Sequence, residues 1–472
     1  MKTARNAALL VATEIAGKAS TFIFTVVAAR ALSRTEFGAF AYALAFAPLV
    51  ASVPAWGFNP VVVREGARAP GELARLYSEA LAWRTALIVP VFLLAGVVGV
   101  LTRPSAGAAW ALVLVLLAAA FDLYSDTSKS AAAVVGSLGG WARGLLVNRV
   151  VSMALGIGLL GAGFGLVGLC AGYLAGSVLG AGFAVLAVAR LGVRPSLGLV
   201  RLPTWLGMGR ASVALGLDAM VAMALSKVDT VMLAGFRGDR EVAVYGAAYR
   251  LLETVLFVTW SLNTVVFPRT SAAREEGEVR RLTERALGAV AALFVPFGVV
   301  LAVRGGAVMG LVFGSEYGVD GAGVVPWLAG APMAFAVGYF CSTALLSRGR
   351  NGFVLVSSVV ALGVNVAVNA WAIPEWGAAG AAAVTTGSYL LEAAVLVVAL
   401  GRVVGWLRLD RALAVPVAAA VPLGLALWLV PGGIVVQLAV GGVAYGLAWL
   451  ALSRRWTPDV LTLLRSAARR GA

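Results

Sequence analysis

The stretch LGMGRASVALGLDAMVAMALSKVDTVMLAGFRGDREVAVYGAAYRLLETVLFVTWSLNTVVFP, residues 206–268, decides how this chain is read. Two apolar runs flank a short polar turn, Arg237-Gly-Asp-Arg-Glu241. As a helix, each run is long enough to cross roughly 30 Å of hydrocarbon at about 1.5 Å per residue. Yet both carry charges: Asp218, Lys227 and Asp229 in the first, Arg250 and Glu253 in the second. A charge at bilayer depth costs at least about 2.5–3.5 kcal/mol on insertion scales, so such residues face protein or a water-filled cavity. The hairpin therefore implies one wall of a polar cavity within a membrane protein, the layout of a transporter.

The rest of the chain agrees. Of 472 residues, 61% are hydrophobic and 12% charged, with a mean hydropathy of +0.94. Soluble domains hold about 45–50% apolar and about 25% charged residues. Apolar runs recur along the whole length, which makes this one polytopic membrane protein. Histidine is absent, which removes the usual general base and the commonest metal ligand. Cys170 and Cys341 both fall in apolar runs and imply neither a disulfide framework nor a zinc site. Glu14 and Lys18 interrupt the first apolar run, which reads as a span rather than a cleaved signal peptide.

Fourteen spans are expected, near 7–32, 37–60, 82–101, 108–132, 144–162, 165–189, 206–234, 241–267, 284–303, 323–347, 351–373, 377–401, 411–430 and 433–452. With the N-terminus inside, the inner segments hold 27 Lys and Arg and the outer turns only five, Arg34, Arg103, Arg237, Arg240 and Arg304. That bias obeys the positive-inside rule and puts both termini in the cytoplasm. It also accounts for the net charge of +15 without nucleic acid. The basic tail beyond Arg454 follows from the same topology or touches anionic lipid.

The loops are short. The stretch from Arg64 to Arg84 has Leu73, Leu76, Tyr77 and Ala80 at helical spacing, the pattern of an interfacial helix. No loop is large enough for a soluble catalytic domain, and no P-loop signature is present, so the chain is not expected to be an enzyme. The energy for transport would come from a proton or sodium gradient, the membrane potential, or a partner, with no cofactor. Gly168, Gly172, Gly176 and Gly180, four apart, would let a second helix approach closely. Trp56, Trp83, Trp110, Trp371, Trp376 and Trp406 lie near span ends, as in an interfacial belt.

The two halves look related. Thr35-Glu-Phe-Gly-Ala-Phe-Ala-Tyr42 follows span one, and Arg240-Glu-Val-Ala-Val-Tyr-Gly-Ala247 follows span seven. Gly165-Leu-Val-Gly168 opens span six and Gly377-Ala-Ala-Gly380 opens span twelve. A six-span repeat keeps its orientation, so the halves would be parallel copies about an axis along the membrane normal. The expected divisions are residues 1–205 (spans 1–6), 206–410 (spans 7–12) and 411–472 (spans 13–14 and the basic tail).

Asp229-Thr-Val-Met-Leu233, the polar turn and Val244-Tyr-Gly-Ala-Ala-Tyr-Arg250 resemble the hairpin of the polysaccharide flippases of the multidrug/oligosaccharidyl-lipid/polysaccharide exporter (MOP) superfamily. Leu346-Ser-Arg-Gly-Arg350, Asn365, Asn369, Pro374 and Gly377-Ala-Ala-Gly-Ala-Ala382 form a second match. The resemblance implies an all-α, V-shaped transporter fold, with two pseudo-symmetric six-helix lobes plus two C-terminal helices in the cytoplasmic membrane. Spans 1, 2, 7 and 8 would border a central cavity. It also implies a Wzx-like activity, in which an undecaprenyl-diphosphate-linked, or related polyprenyl-linked, oligosaccharide is moved between leaflets by alternating access. Its partners would be that substrate, membrane lipid and other polysaccharide-assembly proteins. A multidrug cation/proton or sodium antiporter of the same superfamily and a lipid II flippase are the alternatives. Three intramembrane lysines, Lys18, Lys129 and Lys227, argue against the antiporter.

Within that frame the candidate cavity residues are Glu14, Lys18, Asp122, Lys129, Asp218, Arg250, Glu253, Asn365 and Asn369. Glu14 and Lys18 are four apart and share a face. Asp122, Asp126 and Lys129 fall on one face of span four. Arg250 and Glu253, three apart, can pair. Lys18, Lys129 and Arg250 would attract a diphosphate or acidic sugars. Glu14, Asp122, Asp218 and Glu253 would neutralise them between cycles or carry a proton. The plainer reading is that each pair cancels its own burial penalty and locks helices together. Asn365 and Asn369 either bond between helices or line the cavity. Lys227 and Asp229 are gate or helix-end residues, and for Lys227 and Glu392 the structural reading is preferred.

Overall fold

The computed structural model describes residues 2–103 and 105–456, with side chains from residue 17 onward except those at 214, 411, 455 and 456. All regular structure among these residues is helical. The chain forms two compact units, Met1–Gly246 and Ala247–Ala472.

The first unit holds α1 (Lys2–Ala31), α2 (Arg34–Ala55), the short α3 (Phe58–Arg68), α4 (Leu73–Thr102), α5 (Ala106–Val134), α6 (Gly139–Leu159), α7 (Gly165–Arg190) and α8 (Leu202–Arg237). It ends in the first turns of α9 (Asp239–Ala272). Helix α7 packs against α5 and α6, α2 against α5 and α8, and α1 against α6. Local chemistry sets the boundaries. Ser33 caps α2, and Glu36 reaches back to the Ser33 amide in a capping box. Trp56 and Gly57, both at positive φ, break α2 from α3. Gly238, at φ 80°, is the whole turn between α8 and α9.

The expected glycine contact is present. Gly172 lies against the backbone of Gly156, Gly176 against Ser152 and the Asn148 carbonyl, and Gly180 against Asn148 and Gly144. A side chain at any of the three would collide with α6, so these glycines set how close the two helices come.

The expected interfacial helix at 64–84 is corrected. Leu73, Leu76, Tyr77 and Ala80 form the first turns of α4 and are buried with Phe58, Val61 and Val62 of α3. Their helical spacing marks a protein-facing stripe because α3 folds back to cover it. Likewise Trp56 and Trp83 donate to backbone carbonyls of α8, at Gly209 and Trp205, and Trp83 stacks on Trp205. Trp110, Trp371, Trp376 and Trp406 are exposed, as a belt requires.

The second unit holds the rest of α9, then α10 (Glu276–Phe313), the short α11 (Ser315–Gly321), α12 (Ala331–Ser347), α13 (Asn351–Val404), α14 (Leu409–Leu429) and α15 (Ile434–Trp456). Helix α12 packs on α13, and α14 and α15 pack on each other and on α10. Tyr445 donates to the Ala292 carbonyl and Arg304 to the Leu427 carbonyl, tying the last two helices to α10. Arg348 donates to the Thr270 and Ala273 carbonyls and so caps the end of α9.

Eleven helical segments among the described residues are long and apolar enough to cross a membrane. Two of them, Gly139–Arg190 and Asn351–Val404, have 52 and 54 residues, double length, and are broken at Gly163 and Gly377. With these read as pairs and α1 added, the count is about fourteen. The packing division at 246/247 and the repeat division expected at 205/206 are different quantities: α8, which would open the expected second copy, packs on α2.

Candidate functional site

In the first unit, α5 presents Asp122, Asp126 and Lys129 along one side, as their spacing requires. Asn148 of α6 donates to Asp122 Oδ1 at 3.1 Å and lies 3.5 Å from Ser177 Oγ of α7. Ser152 donates to Asn148 Oδ1 at 3.3 Å. The Lys129 ammonium lies 4.4 Å from the centre of the Trp141 ring, a cation–π contact.

Two arginines join this group. Asp126 is acted on by the charges of Arg84 and Arg149 as well as Lys129, and Asp122 by that of Arg149. Arg84, on α4, is 1% exposed and donates to Asn59 Oδ1 at 2.8 Å. Its Nε and one terminal nitrogen are buried with no hydrogen-bond partner among the described residues, as is Nε of Arg149. A buried guanidinium with unused donors is costly in a static protein. Gly17 of α1 lies over Arg149 Nε, and the next residue, Lys18, is exposed. Asp126 is exposed at the protein surface too, while Asp122, Lys129 and Arg149 are half-buried. Asp122 sits twelve residues from the end of α5, about 18 Å along its axis.

Among the described residues the group thus has three cations, Arg84, Lys129 and Arg149, against two carboxylates, Asp122 and Asp126. Glu14, the expected partner of Lys18, lies outside the described side chains. Arg84 and Arg149 escaped the sequence reading because both counted as inner-segment positive charges. The signal that could have found them is depth, since both fall inside the expected limits of spans three and five.

The other predicted residues lie elsewhere. Asp218 is half-buried on α8. Asp229 is fully buried and accepts from Tyr245 OH of α9 and from the Thr230 amide and hydroxyl, so it fastens the α8–α9 hairpin. Lys227 is half-buried two residues before it. In the second unit, Arg250 and Glu253 form an ion pair at 2.6 Å, both half-buried. Tyr249 and Tyr389 hydroxyls meet at 3.1 Å, and Phe335 packs between Tyr389, Tyr339 and Trp260. This aromatic group had no mark in sequence. Asn369 donates to Asn365, and Asn365 to Ser388, each at 3.0 Å and all buried. The Asn365–Ser388 bond joins the two halves of α13, on either side of Gly377. Glu392 accepts from Ser358 at 2.7 Å between the same two halves of α13.

A polytopic helical protein with these units has the fold of a MOP-superfamily transporter. Over 95% of the chain and 99% of the other, it superposes on "Lipid II flippase MurJ, inward closed conformation" with a TM-score of 0.80 at 13% identity. A multidrug resistance MATE family transporter of the MOP superfamily, in its inward-facing conformation, matches with a TM-score of 0.65 at 14% identity, over 82% of this chain and 94% of that one. At such identity the likeness is one of fold.

The sequence is more specific: residues 27–319 match the family described as polysaccharide biosynthesis protein, and the chain belongs to that family. The "Probable flippase AglR" of Haloferax volcanii is 25% identical over 264 residues, 52% of this chain and 55% of that protein. The "Probable low-salt glycan biosynthesis flippase Agl15" of the same organism is 22% identical over 170 residues, 35% of this chain and 36% of that protein. The chain thus spans about half the length of the first of these relatives and about a third of the second.

Proposed function

We propose that this protein is a non-enzymatic flippase that moves a polyprenyl-linked oligosaccharide across the cytoplasmic membrane by alternating access, for cell-surface glycan synthesis. The observation that carries the proposal is the gathering of Arg84, Lys129 and Arg149 about two carboxylates, with guanidinium donors left over on Arg84 and Arg149 among the described residues. Such donors suit a diphosphate: arginine grips phosphate oxygens through paired N–H groups and lysine adds a mobile point charge. The glycan biosynthesis named for the second Haloferax relative and the family's link to polysaccharide synthesis support a lipid-linked sugar as cargo. The arginine bias supports cytoplasmic termini. Coupling falls to a proton or sodium gradient or to the membrane potential, and the carboxylates Asp122 and Asp126 are the groups on which a cation would act.

The test is flipping in proteoliposomes of a fluorescent polyprenyl-diphosphate oligosaccharide, read with a membrane-impermeant quencher. Wild type should flip it, and Lys18→Ala and Arg149→Ala should slow it about tenfold or more, the effect of roughly 1.4 kcal/mol. Unchanged rates in both variants would make these charges structural. No flipping by wild type, with export of organic cations instead, would establish a multidrug antiporter; flipping of lipid II alone would establish that cargo.

A further inference from the structure

Four turns gather at the end of the first unit away from residue 2: those joining α1 to α2, α4 to α5, α6 to α7 and α8 to α9. Between them lies a cavity of about 240 Å³, room for one pyranose ring. Two carboxylates line it, Glu36 and Asp239, together with Thr35, Ser105, Gly165 and Phe164.

Hydrogen-bonding groups of both kinds border the cavity. Asp239 is 6% exposed. Its Oδ1 takes the Arg103 guanidinium at 2.9 Å, but its Oδ2 is buried with no partner among the described residues. This oxygen, at the edge of the cavity, retains the capacity to accept one more hydrogen bond. Arg103 is held in turn over the Tyr42 ring, 3.9 Å from its centre, and Gly38 lies directly under the Asp239 backbone, so the carboxylate is fixed in place. Glu36 bonds Ser33 through Oε2, while its Oε1 lies beside Gly165. On the donor side, no side chain among the described residues caps the start of α7, whose first three residues all line the cavity. An anion would suit the amides but not the carboxylates, and a simple cation the reverse. A polyol hydroxyl both donates and accepts and so satisfies both.

Phe164 completes the chemistry. It sits on the break between α6 and α7, lines the cavity and is 65% exposed. A flat apolar ring beside carboxylates matches a pyranose, which has one C–H face to lie on the ring and hydroxyls at its rim. We propose that this cavity is a saccharide subsite that holds one sugar of the cargo at the end of the transporter opposite residue 2. The proposal rests on the flippase reading for its biological sense, while the binding chemistry stands on the cavity itself. Under the topology expected from the arginine bias this end faces outward, so the subsite would receive the glycan as it leaves the membrane.

The experiment uses the full chain in lipid nanodiscs and saturation-transfer NMR with two probes, methyl α-D-glucopyranoside and methyl N-acetyl-β-D-glucosaminide, at about 10 mM, suited to a Kd near 1 mM. Phe164→Leu keeps an apolar side chain at the membrane edge but removes the ring. Glu36→Gln keeps the capping box, which accepts either residue. At least one glycoside should receive saturation at its ring C–H protons in wild type, with Kd raised about tenfold or more in both variants. Equal binding in wild type and Phe164→Leu overturns the subsite, as does no binding of either glycoside. A response to calcium chloride with none to the glycosides also overturns it, in favour of a cation. Flipping of the lipid-linked oligosaccharide is measured on the same preparations. Flipping without glycoside binding removes only the subsite, whereas glycoside binding lost in Phe164→Leu, without any flipping, keeps the subsite and removes the flippase reading.

Discussion

Gly165 and Gly377 hold the same backbone conformation, φ 57° and ψ −145° at the first, φ 55° and ψ −134° at the second. Each restarts a helix after a break, and three residues later each helix carries another glycine, Gly168 or Gly380, pressed on the turn before it. The chain makes the same bend twice, once per half, which is a backbone signature of the repeat expected from the two Gly-x-x-Gly sequences.

Only glycine enters that region of φ and ψ without strain, which elsewhere amounts to about 1–3 kcal/mol. Gly165→Ala and Gly377→Ala should therefore each lower the thermal midpoint of the detergent-purified protein. Gly387→Ala, later in the same long helix with open space beside it, should leave the midpoint unchanged or raise it. Equal behaviour of all three would mean that the two bends are not strained.

A second prediction concerns the α6–α7 contact. Gly176→Leu places a branched side chain against Ser152 and the Asn148 carbonyl, where even one carbon has no room. Overpacking of this kind typically costs about 1–3 kcal/mol. It would also move Asn148 off Asp122, so the loss of thermal stability should come with loss of transport. Gly182→Leu, on the same helix facing open space, is the control and should retain both.

The fold was legible because its signals are local and strong. Apolar runs, polar turns and the arginine bias each report on a few neighbouring residues. Glycine spacing reported the α6–α7 contact for the same reason. The candidate site was legible only in part. Asp122, Asp126 and Lys129 share a helix, so their common face follows from 3.6 residues per turn. Arg84 and Arg149 come from other helices, and only the packing of α4 and α6 against α5 brings them in. The interfacial helix failed on the same ground: amphipathic spacing in Leu73, Leu76, Tyr77 and Ala80 says that one face is covered, not whether lipid or α3 covers it.

The pair of Arg103 and Asp239 gives a third prediction. Both side chains are less than a tenth exposed, and one partner removed alone leaves a buried charge uncompensated. Losses of about 3–5 kcal/mol are usual for such a change. Arg103→Met and Asp239→Leu should each destabilise strongly, and the double variant should recover most of the loss. A thermal double-mutant cycle reads this coupling; additive losses would mean that the two charges do not support each other.

Orientation can be settled with thiol chemistry, since Cys170 and Cys341 are both fully buried and should give a silent background. Arg240 and Arg281 are exposed and lie at opposite ends of the expected topology. A membrane-impermeant maleimide should label Arg240→Cys in intact cells, and Arg281→Cys only after permeabilisation. The reverse pattern would invert the expected topology and place the termini outside.

Arg84 separates function from structure within the cationic group. Its side chain is buried, two of its nitrogens lack partners among the described residues, and the nearby carboxylate Asp126 is also acted on by Lys129 and Arg149. A buried charge of this kind adds little to stability, and an apolar replacement of similar length is often neutral or stabilising. Arg84→Met should therefore leave the thermal midpoint nearly unchanged or raise it. If the unused donors are kept for the cargo, the same substitution should slow flipping about tenfold or more, and Arg84→Lys should recover little, because an ammonium cannot reproduce the paired N–H geometry. A lower midpoint with normal flipping would assign Arg84 to holding α3 and α4 together through Asn59 instead.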